Sequence, residues 1–413
     1  MIVIHAMSER ILPRAVAGTL LSHLSFMPAV VLSGARQTGK STLAGRLYRG
    51  KRRWVTLDDF DQLEAARDDP EALLAGSGPL TIDEVQREPR LLLAVKRAID
   101  RERIPGQFLL TGSANLLLMK RVSESLAGRA TYLTLWPLTR REQSGLGCCG
   151  VWDELLAREN EDWSDFLAAQ PVKSEDWLQL ARRGGFPVPA VQLERREERS
   201  AWFDGYVRTY LERDLLDISR VSALPDYRRL MRACAYRLGG VVNQTELGRD
   251  IYLSQPTVRR YLNLLETSYL LVRLPAYAVN RTKRLIKSPK LYWCDTGLAL
   301  HLSGHARPSG AHLENLVLQD LLAWAGLRKS RPEIQYWRTT TGEEVDFVIE
   351  ADRKLLPVEV KATSRPRYRD AKSLLAFRGE YPDTSLFGLV LHTGNAVKRL
   401  APGVLAAPWW TVI

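Results

Sequence analysis

The sequence predicts a multidomain α/β protein, and three stretches carry that prediction. AVVLSGARQTGKST (29–42) reads as a buried strand, a glycine-rich loop and a helix start. LTIDEVQ (80–86) reads as a second strand ending in two carboxylates, and EEVDFVIE (343–350) with LLPVEVKAT (355–363) reads as two alternating strands. At 413 residues the chain exceeds one ordinary core, so two to four domains are expected. With 45% hydrophobic and 26% charged residues, every domain can fold, and long disorder is excluded. A net charge of +12 favours a polyanionic partner such as nucleic acid or an acidic membrane surface.

No apolar run is long enough to span a bilayer, and MIVIHAMSERILPRAV lacks the basic flank and cleavage pattern of a signal peptide. A cytoplasmic protein without a membrane partner is expected. Cys148, Cys149, Cys234 and Cys294 form no CxxC pair, which argues against structural zinc and a disulfide framework. His301 and His305 border the loop-like SGHARPSG, a poor context for paired metal ligands.

In the first stretch, Ala29 to Leu32 form the strand, and Gly34, Gly39, Lys40 and Ser41 match G-x-x-x-x-G-K-[ST]. Glycines let the backbone turn tightly around phosphate, and the N–H groups from Gly34, Ala35, Arg36, Gln37 and Thr38 to Thr42 point at negative charge. Lys40 would reach the outer phosphates and Ser41 would hold Mg2+. The competing reading is a plain glycine turn before a helix.

A phosphate cradle needs carboxylates on another strand. Asp83 would position Mg2+, and Glu84 would orient or deprotonate the attacking water. The strand in QFLLTGSANL (107–116) ends in Thr111 and Ser113, suited to sensing the γ-phosphate or an ordinary Ser/Gly turn. Arg129 in SESLAGRATYL would face a nucleotide held by a neighbouring subunit, or is a solvated or acid-paired surface arginine.

GARQTGKST, IDEVQ, LTGS, LAGR followed by WPL, and RGGFP (183–187) together resemble the AAA-type branch of the P-loop ATPases. More closely, they resemble a bacterial and archaeal family that joins such an ATPase to a C-terminal domain of the PD-(D/E)xK nuclease fold. The resemblance covers most of the chain. It implies ATP as ligand, Ser113 as sensor, Arg129 as arginine finger, self-association into a ring such as a hexamer, and Phe186 and Pro187 near the nucleotide base. No role for Arg36 or Gln37 follows from it.

From Gly147 to about Arg220 the pattern is helical and suits a lid, with Trp152, Trp163, Trp177 and Trp202 as packing residues. NQTELGRDIYLSQPTVRRYLNLLETSYLLVRL then has the spacing of two helices and a β ribbon. Ser254 is the expected N-cap, and Val258, Tyr261, Leu262 and Leu265 form a buried stripe. That leaves Gln255, Thr257, Arg259, Arg260 and Asn263 outward, where a helix-turn-helix would touch DNA. Packing against the ATPase or a neighbouring subunit is the alternative. RTKRLIKSPK, with Arg281, Lys283, Arg284, Lys287 and Lys290, reads as a basic linker able to contact phosphate.

In the last third, HLENLVLQDLLAW carries Glu314 beside a helical stripe. Strand period puts Asp346 opposite Val345, Phe347 and Ile349, and Glu359 with Lys361 opposite Val358 and Val360. If ADRK closes a hairpin, Asp346, Glu359 and Lys361 converge on a site for Mg2+ or Mn2+, unless salt bridges on exposed strands explain the pattern. The resemblance puts Glu314 in the place of the nuclease fold's helical acid. The expected division is ATPase core (1–146), helical lid (147–220), winged-helix-like domain (221–280) and restriction-endonuclease-like α/β domain (281–413). The expected function is ATP-dependent DNA processing or remodelling, with a C-terminal domain that binds DNA or cuts it. A nucleotide-controlled oligomeric switch with an inactive docking domain is the alternative.

Overall fold

A computed structural model describes residues 11–47, 52–76, 78–113, 126–171, 173–210, 224–280 and 287–413. Five short strands, β1 (Ala29–Ser33), β2 (Arg53–Thr56), β3 (Leu80–Asp83), β4 (Phe108–Thr111) and β5 (Ala130–Thr134), form one parallel sheet in the order β2-β3-β4-β1-β5. β1 is buried along its whole length because helices cover both faces. Its alternate residues go to different cores. Val30 and Leu32 pack with Leu20 and Leu24 of α1 (Val16–Leu24), whereas Ala29 and Val31 pack with Ile82, Leu110 and Leu91. α2 (Lys40–Leu47) follows the glycine loop, and Leu91 opens α3 (Leu91–Arg101). Parallel strands deliver their C-terminal residues to one edge, so Gly34, Glu84 and Gly112 emerge on the same side.

The middle of the chain departs from the expected lid. Helices α4 (Trp152–Ala157), α5 (Trp163–Ala168) and α6 (Trp177–Arg183) send Trp152, Leu155, Trp163, Leu167 and Leu180 into the core of the C-terminal domain. The 147–220 boundary therefore cuts through a shared core. Periodicity shows that a segment is helical but says nothing about which surface receives its apolar face.

α7 (Arg196–Thr209) leads to a compact trio, α8 (Leu224–Tyr236), α9 (Gln244–Asp250) and α10 (Gln255–Thr267). An antiparallel ribbon of β6 (Leu271–Leu274) and β7 (Lys290–Trp293) follows. Val258, Tyr261, Leu262 and Leu265 are buried as the spacing predicts, against Tyr227, Leu230 and Leu247. Ser254 holds the N-cap position, but its hydroxyl bonds the Thr257 hydroxyl at 2.9 Å and caps no backbone N–H.

After α11 (Thr296–Ser303) and α12 (Gly310–Ala325) comes a second sheet of β8 (Glu333–Arg338), β9 (Glu344–Ala351), β10 (Lys354–Lys361), β11 (Gly388–His392), β12 (Lys398–Ala401) and β13 (Val404–Pro408). Its order is β12-β13-β11-β10-β9-β8. ADRK does close the β9–β10 hairpin. Asp352 and Arg353 take φ of 49° and 63°, as the two central residues of a twist-matched hairpin turn require. Val358 and Val360 share a core with Leu313, Leu316, Val317, Leu321 and Trp324 of α12.

Candidate active site

Gly34 stands where β5 leaves no room for a side chain. It has φ +147°, and a Cβ there would lie 2.3 Å from the Leu135 carbonyl oxygen. The loop that follows wraps the Lys40 ammonium, which donates to the Gly34 and Ala35 carbonyls at 3.1 and 2.8 Å. Thr38 closes the loop from inside by donating to the Ala35 carbonyl at 2.9 Å. Arg36, Gln37, Gly39, Lys40, Ser41 and Thr42 border a cleft of about 770 Å³, with Glu84 and Asp58 across from them. Leu12, Pro13, Pro187, Val188 and Val191 give the cleft an apolar wall fit for a base.

The oxygens expected around a cation do converge. Ser41 Oγ donates to Asp83 Oδ1 at 2.9 Å, and the Thr111 hydroxyl donates to the same carboxylate oxygen. Hydroxyl and carboxylate oxygens suit Mg2+, which would arrive with the nucleotide and be held by Ser41 and Asp83. Because β4 lies between β1 and β3, Thr111 stands beside Asp83 and aims it.

Glu84 sits one residue past β3 in a left-handed conformation, φ 55°, a cost borne where a side chain must be re-aimed. Burial pushes its carboxyl above the ordinary value, and the Gln86 amide and the Lys40 charge partly offset this. Gln86 was not singled out by the sequence, yet its Nε2 donates both to Glu84 and to Ser113 Oγ, the latter at 2.9 Å. Among the described residues its Oε1 is buried without a partner. Glu84, Gln86 and Ser113 thus form a relay at the edge where the outer phosphate would lie.

Arg14 was also missed, since no motif surrounds it. It donates to the Thr38 carbonyl at 2.8 Å and the Trp136 carbonyl at 2.5 Å, and pairs with Glu142 at 3.1 Å, so it ties the phosphate loop to the segment after β5.

Two expected residues sit elsewhere. Phe186 is fully buried, with ring centroids 4.8 Å from Tyr206 and 5.5 Å from Trp202, so it is core and only Pro187 reaches the cleft. The RGGFP segment serves a carboxylate instead. Buried Asp295 accepts from the Gly185 N–H at 2.5 Å and the Phe186 N–H at 3.2 Å. A Cβ on Gly184 would lie 2.4 Å from Asp295, and one on Gly185 would lie 2.4 Å from the Leu138 carbonyl oxygen. Arg129 precedes β5, at the sheet edge away from the phosphate loop, and grips Asp100 through two nitrogens at 2.5 and 3.0 Å. It cannot serve the cleft of its own subunit.

The C-terminal carboxylates gather without forming the expected ion site. Asp346 accepts from the Val360 N–H at 2.9 Å, Tyr292 donates to Glu314 at 3.2 Å, and Glu359 pairs with Lys361 at 2.5 Å, leaving Glu359 Oε2 buried and without a partner among the described residues. Enclosure and the Asp346 charge push both Glu314 and Glu359 upward. Among the described residues, however, no three His, Cys, Asp or Glu side chains are grouped to hold a metal. Beside Lys361 a second cation is present, Lys290, which the sequence reading placed in a basic linker. It is 1% exposed and pairs with Glu344 at 2.5 Å and Asp346 at 3.2 Å. Burial lowers its affinity for a proton, but the charges of Asp346, Glu314 and Glu344 outweigh this and keep it an ammonium. A fixed ammonium on Asp346 does not fit a metal ligand set.

On α10, Gln255, Arg259, Arg260 and Asn263 are exposed and Thr257 half-buried, as expected of an outward face. Lys287 is exposed, and Arg281, Lys283 and Arg284 lie outside the described residues. Among the described residues no helix is long and apolar enough to cross a membrane.

Comparison with known proteins agrees with the first site. Residues 27–144 match a family described as an AAA domain, whereas 174–309 and 309–412 match domains of unknown function, DUF8612 and DUF4143. The uncharacterized proteins Rv2008c of Mycobacterium tuberculosis and Mb2031c of Mycobacterium bovis are each 34% identical over 407 residues, 96% of this chain and 83% of theirs. An uncharacterized protein of Haemophilus influenzae is 23% identical over 297 residues, 68% of this chain and 65% of its own. Among solved structures, the Walker-type ATPase paby2304 of Pyrococcus abyssi is 15% identical, covering 71% of this chain and 99% of that one, with a TM-score of 0.45. The chain therefore belongs to the family of these mycobacterial proteins, and its front third is a P-loop ATPase domain of the AAA type.

Proposed function

We propose that the chain hydrolyses ATP and uses the cycle to remodel DNA. The observation that carries hydrolysis is the joint placement of Ser41, Asp83 and Thr111 on one side and Glu84, Gln86 and Ser113 on the other, around one cleft. The loop amides and Lys40 bind the phosphates, and Ser41 with Asp83 holds the accompanying Mg2+. Glu84, with its proton affinity raised, takes a proton from the attacking water, while Gln86 Oε1 offers that water a second acceptor. Ser113 reports the outer phosphate through Gln86. Arg129 would complete the cleft of a neighbouring subunit once released from Asp100.

DNA as the partner is supported by the +12 charge and by the outward face of α10 in a helix-turn-helix with a ribbon behind it. The test is ATP turnover by the pure protein with and without single-stranded, duplex and branched DNA. Stimulation that Lys40→Ala abolishes supports the reading; turnover indifferent to every DNA refutes the DNA half.

A second reading concerns the C-terminal domain. Lys290 on Asp346 favours a docking module over a magnesium-dependent nuclease. Cleavage of DNA that needs Mg2+ or Mn2+ and is lost in Glu359→Ala would restore the nuclease reading.

A further inference from the structure

α9 and α10 are joined by the turn Ile251 to Ser254, and Tyr252 is its second residue. The backbone around it is held firmly. Tyr252 N–H donates to the Arg249 carbonyl at 3.3 Å, Leu253 N–H to the Gly248 carbonyl at 2.8 Å, and Arg229 to the Ile251 carbonyl at 3.0 Å. The chain passes so close to α9 that a Cβ on Gly248 would lie 2.6 Å from the Leu253 carbonyl oxygen. Ile251 is buried and Leu253 half-buried, so the turn is anchored on either side of Tyr252 and sends that one ring outward.

Tyr252 is 90% exposed, more than any other large apolar side chain among the described residues. It also takes φ 57°, a left-handed conformation suited to the glycine that such turns often contain and costly for a bulky residue. Folding gains nothing from a ring here. Glycine would relieve the strain, and a small polar residue would suit the water, so an aromatic held rigidly in this position points to a ligand.

The surroundings say which ligand. Arg249 on α9 and Arg259 and Arg260 on α10 are exposed on the two helices that the turn joins, and Gln255 opens α10 beside it. The acids of α9 are Glu246 and Asp250, and Arg237 pairs with the second. An aromatic face among guanidiniums suits a nucleic-acid strand, whose bases stack and whose phosphates pair with cations. A base inside a duplex already has both faces covered by its neighbours. A lone ring therefore stacks on a base that has been opened.

We propose that Tyr252 stacks on an unpaired base, so that the helix-turn-helix engages DNA where a duplex opens into single strands. This rests on the DNA reading given above and names the structure of the DNA that the face takes.

The experiment titrates the full chain into three labelled DNAs of one sequence: a closed duplex, the same duplex ending in a splayed fork, and a single strand. The fork should bind about fivefold or more tighter than the closed duplex. Tyr252→Ala should weaken fork binding by about 5- to 100-fold and leave the closed duplex within about twofold. Tyr252→Phe keeps the ring and should bind the fork as the parent does, which separates lost stacking from lost fold. Arg259→Ala with Arg260→Ala should weaken fork and duplex alike, since both present phosphates. A fork bound no better than the closed duplex, or a fork affinity unchanged in Tyr252→Ala, overturns the proposal and leaves the DNA reading standing. Binding to none of the three DNAs overturns both. If Tyr252→Ala binds every DNA normally but self-associates less in sedimentation, the ring is a contact between copies and the proposal falls.

Discussion

Tyr269 OH lies 2.9 Å from Ser33 Oγ, so a residue at the α10–β6 junction bonds the last residue of the strand that enters the phosphate loop. Tyr269 has φ 57° and meets Trp136 edge-on at 5.9 Å between centroids, while Tyr206 OH donates to the Arg36 carbonyl at 3.4 Å. The segment after α10 thus touches the strand that enters the nucleotide loop, and α7 touches the loop itself. Tyr269→Phe should keep the ring packing and lose one part-buried hydrogen bond, about 1 kcal/mol in chemical denaturation. ATP affinity should hold, and any DNA stimulation of turnover should fall. Unaltered stimulation would show that this contact carries no signal.

Binding and hydrolysis should separate by residue. Lys40→Ala removes the charge on the outer phosphates and should abolish ATP binding measured by calorimetry. Glu84→Gln keeps the shape and should retain binding while kcat falls by about 10²–10⁴. Gln86→Ala should lower kcat by a smaller factor, because it orients Glu84 and Ser113 rather than taking the proton. Normal turnover in Glu84→Gln would remove Glu84 from the reacting group.

Gly185→Ala forces a methyl onto the Leu138 carbonyl, and backbone cannot step aside as a flexible side chain can. Loss of about 3 kcal/mol is expected, read as a lowered melting temperature. If the segment served the base instead, ATP affinity would fall and stability would not.

The contributions of Asp295 and Asp320 to stability should rise on mild acidification. Asp295 and Asp320 are buried, and burial pushes each up to about 6 despite the N–H groups that serve them. Each native carboxyl therefore holds a proton that the unfolded chain releases between pH ~4 and ~6, so stability is gained below that window and lost as pH rises through it. The slope is up to about 1.4 kcal/mol per pH unit for each group. Asp320→Asn keeps an acceptor for Gly150 N–H and Trp152 Nε1–H and should show a smaller gain in melting temperature between pH 7 and pH 5. An identical gain in the variant refutes the assignment.

Lys290→Met should be costly, about 3–5 kcal/mol, because it strands the buried Asp346 charge beside the part-exposed Glu344. A variant as stable as the parent would mean that water already screens those acids.

What could be read from the sequence was chemistry written in short contiguous runs. The phosphate loop, the Asp83–Glu84 pair and the β9–β10 turn each depend on neighbours within a few residues, so their spacing was sufficient. The parallel order that sets Thr111 beside Asp83 follows from chain crossings that no local pattern encodes. Gln86 lay inside the run that was read, but its partner Ser113 is 27 positions away. Lys290 was read from its basic neighbours as part of a linker able to contact phosphate, whereas its true surroundings are acids 54 and 56 positions on, 290 to 344 and 290 to 346. Phe186 was assigned by likeness to a lid motif, and only packing shows that the motif's glycines make room for Asp295.

The shared core of α4, α5 and α6 with the C-terminal sheet has a mechanical meaning. A sheet and helices joined by Trp152, Trp163, Leu180, Phe347 and Val358 can travel only as one rigid arm, however far apart they stand in the chain. Any motion of the arm against the ATPase domain must then pivot at its attachments, where Arg140 holds the backbone of Trp410 and Ile413 and where the Leu138 N–H donates to the Gly185 carbonyl. A fragment cut at residue 281 would lose about a third of that arm's filling and expose the rest to water.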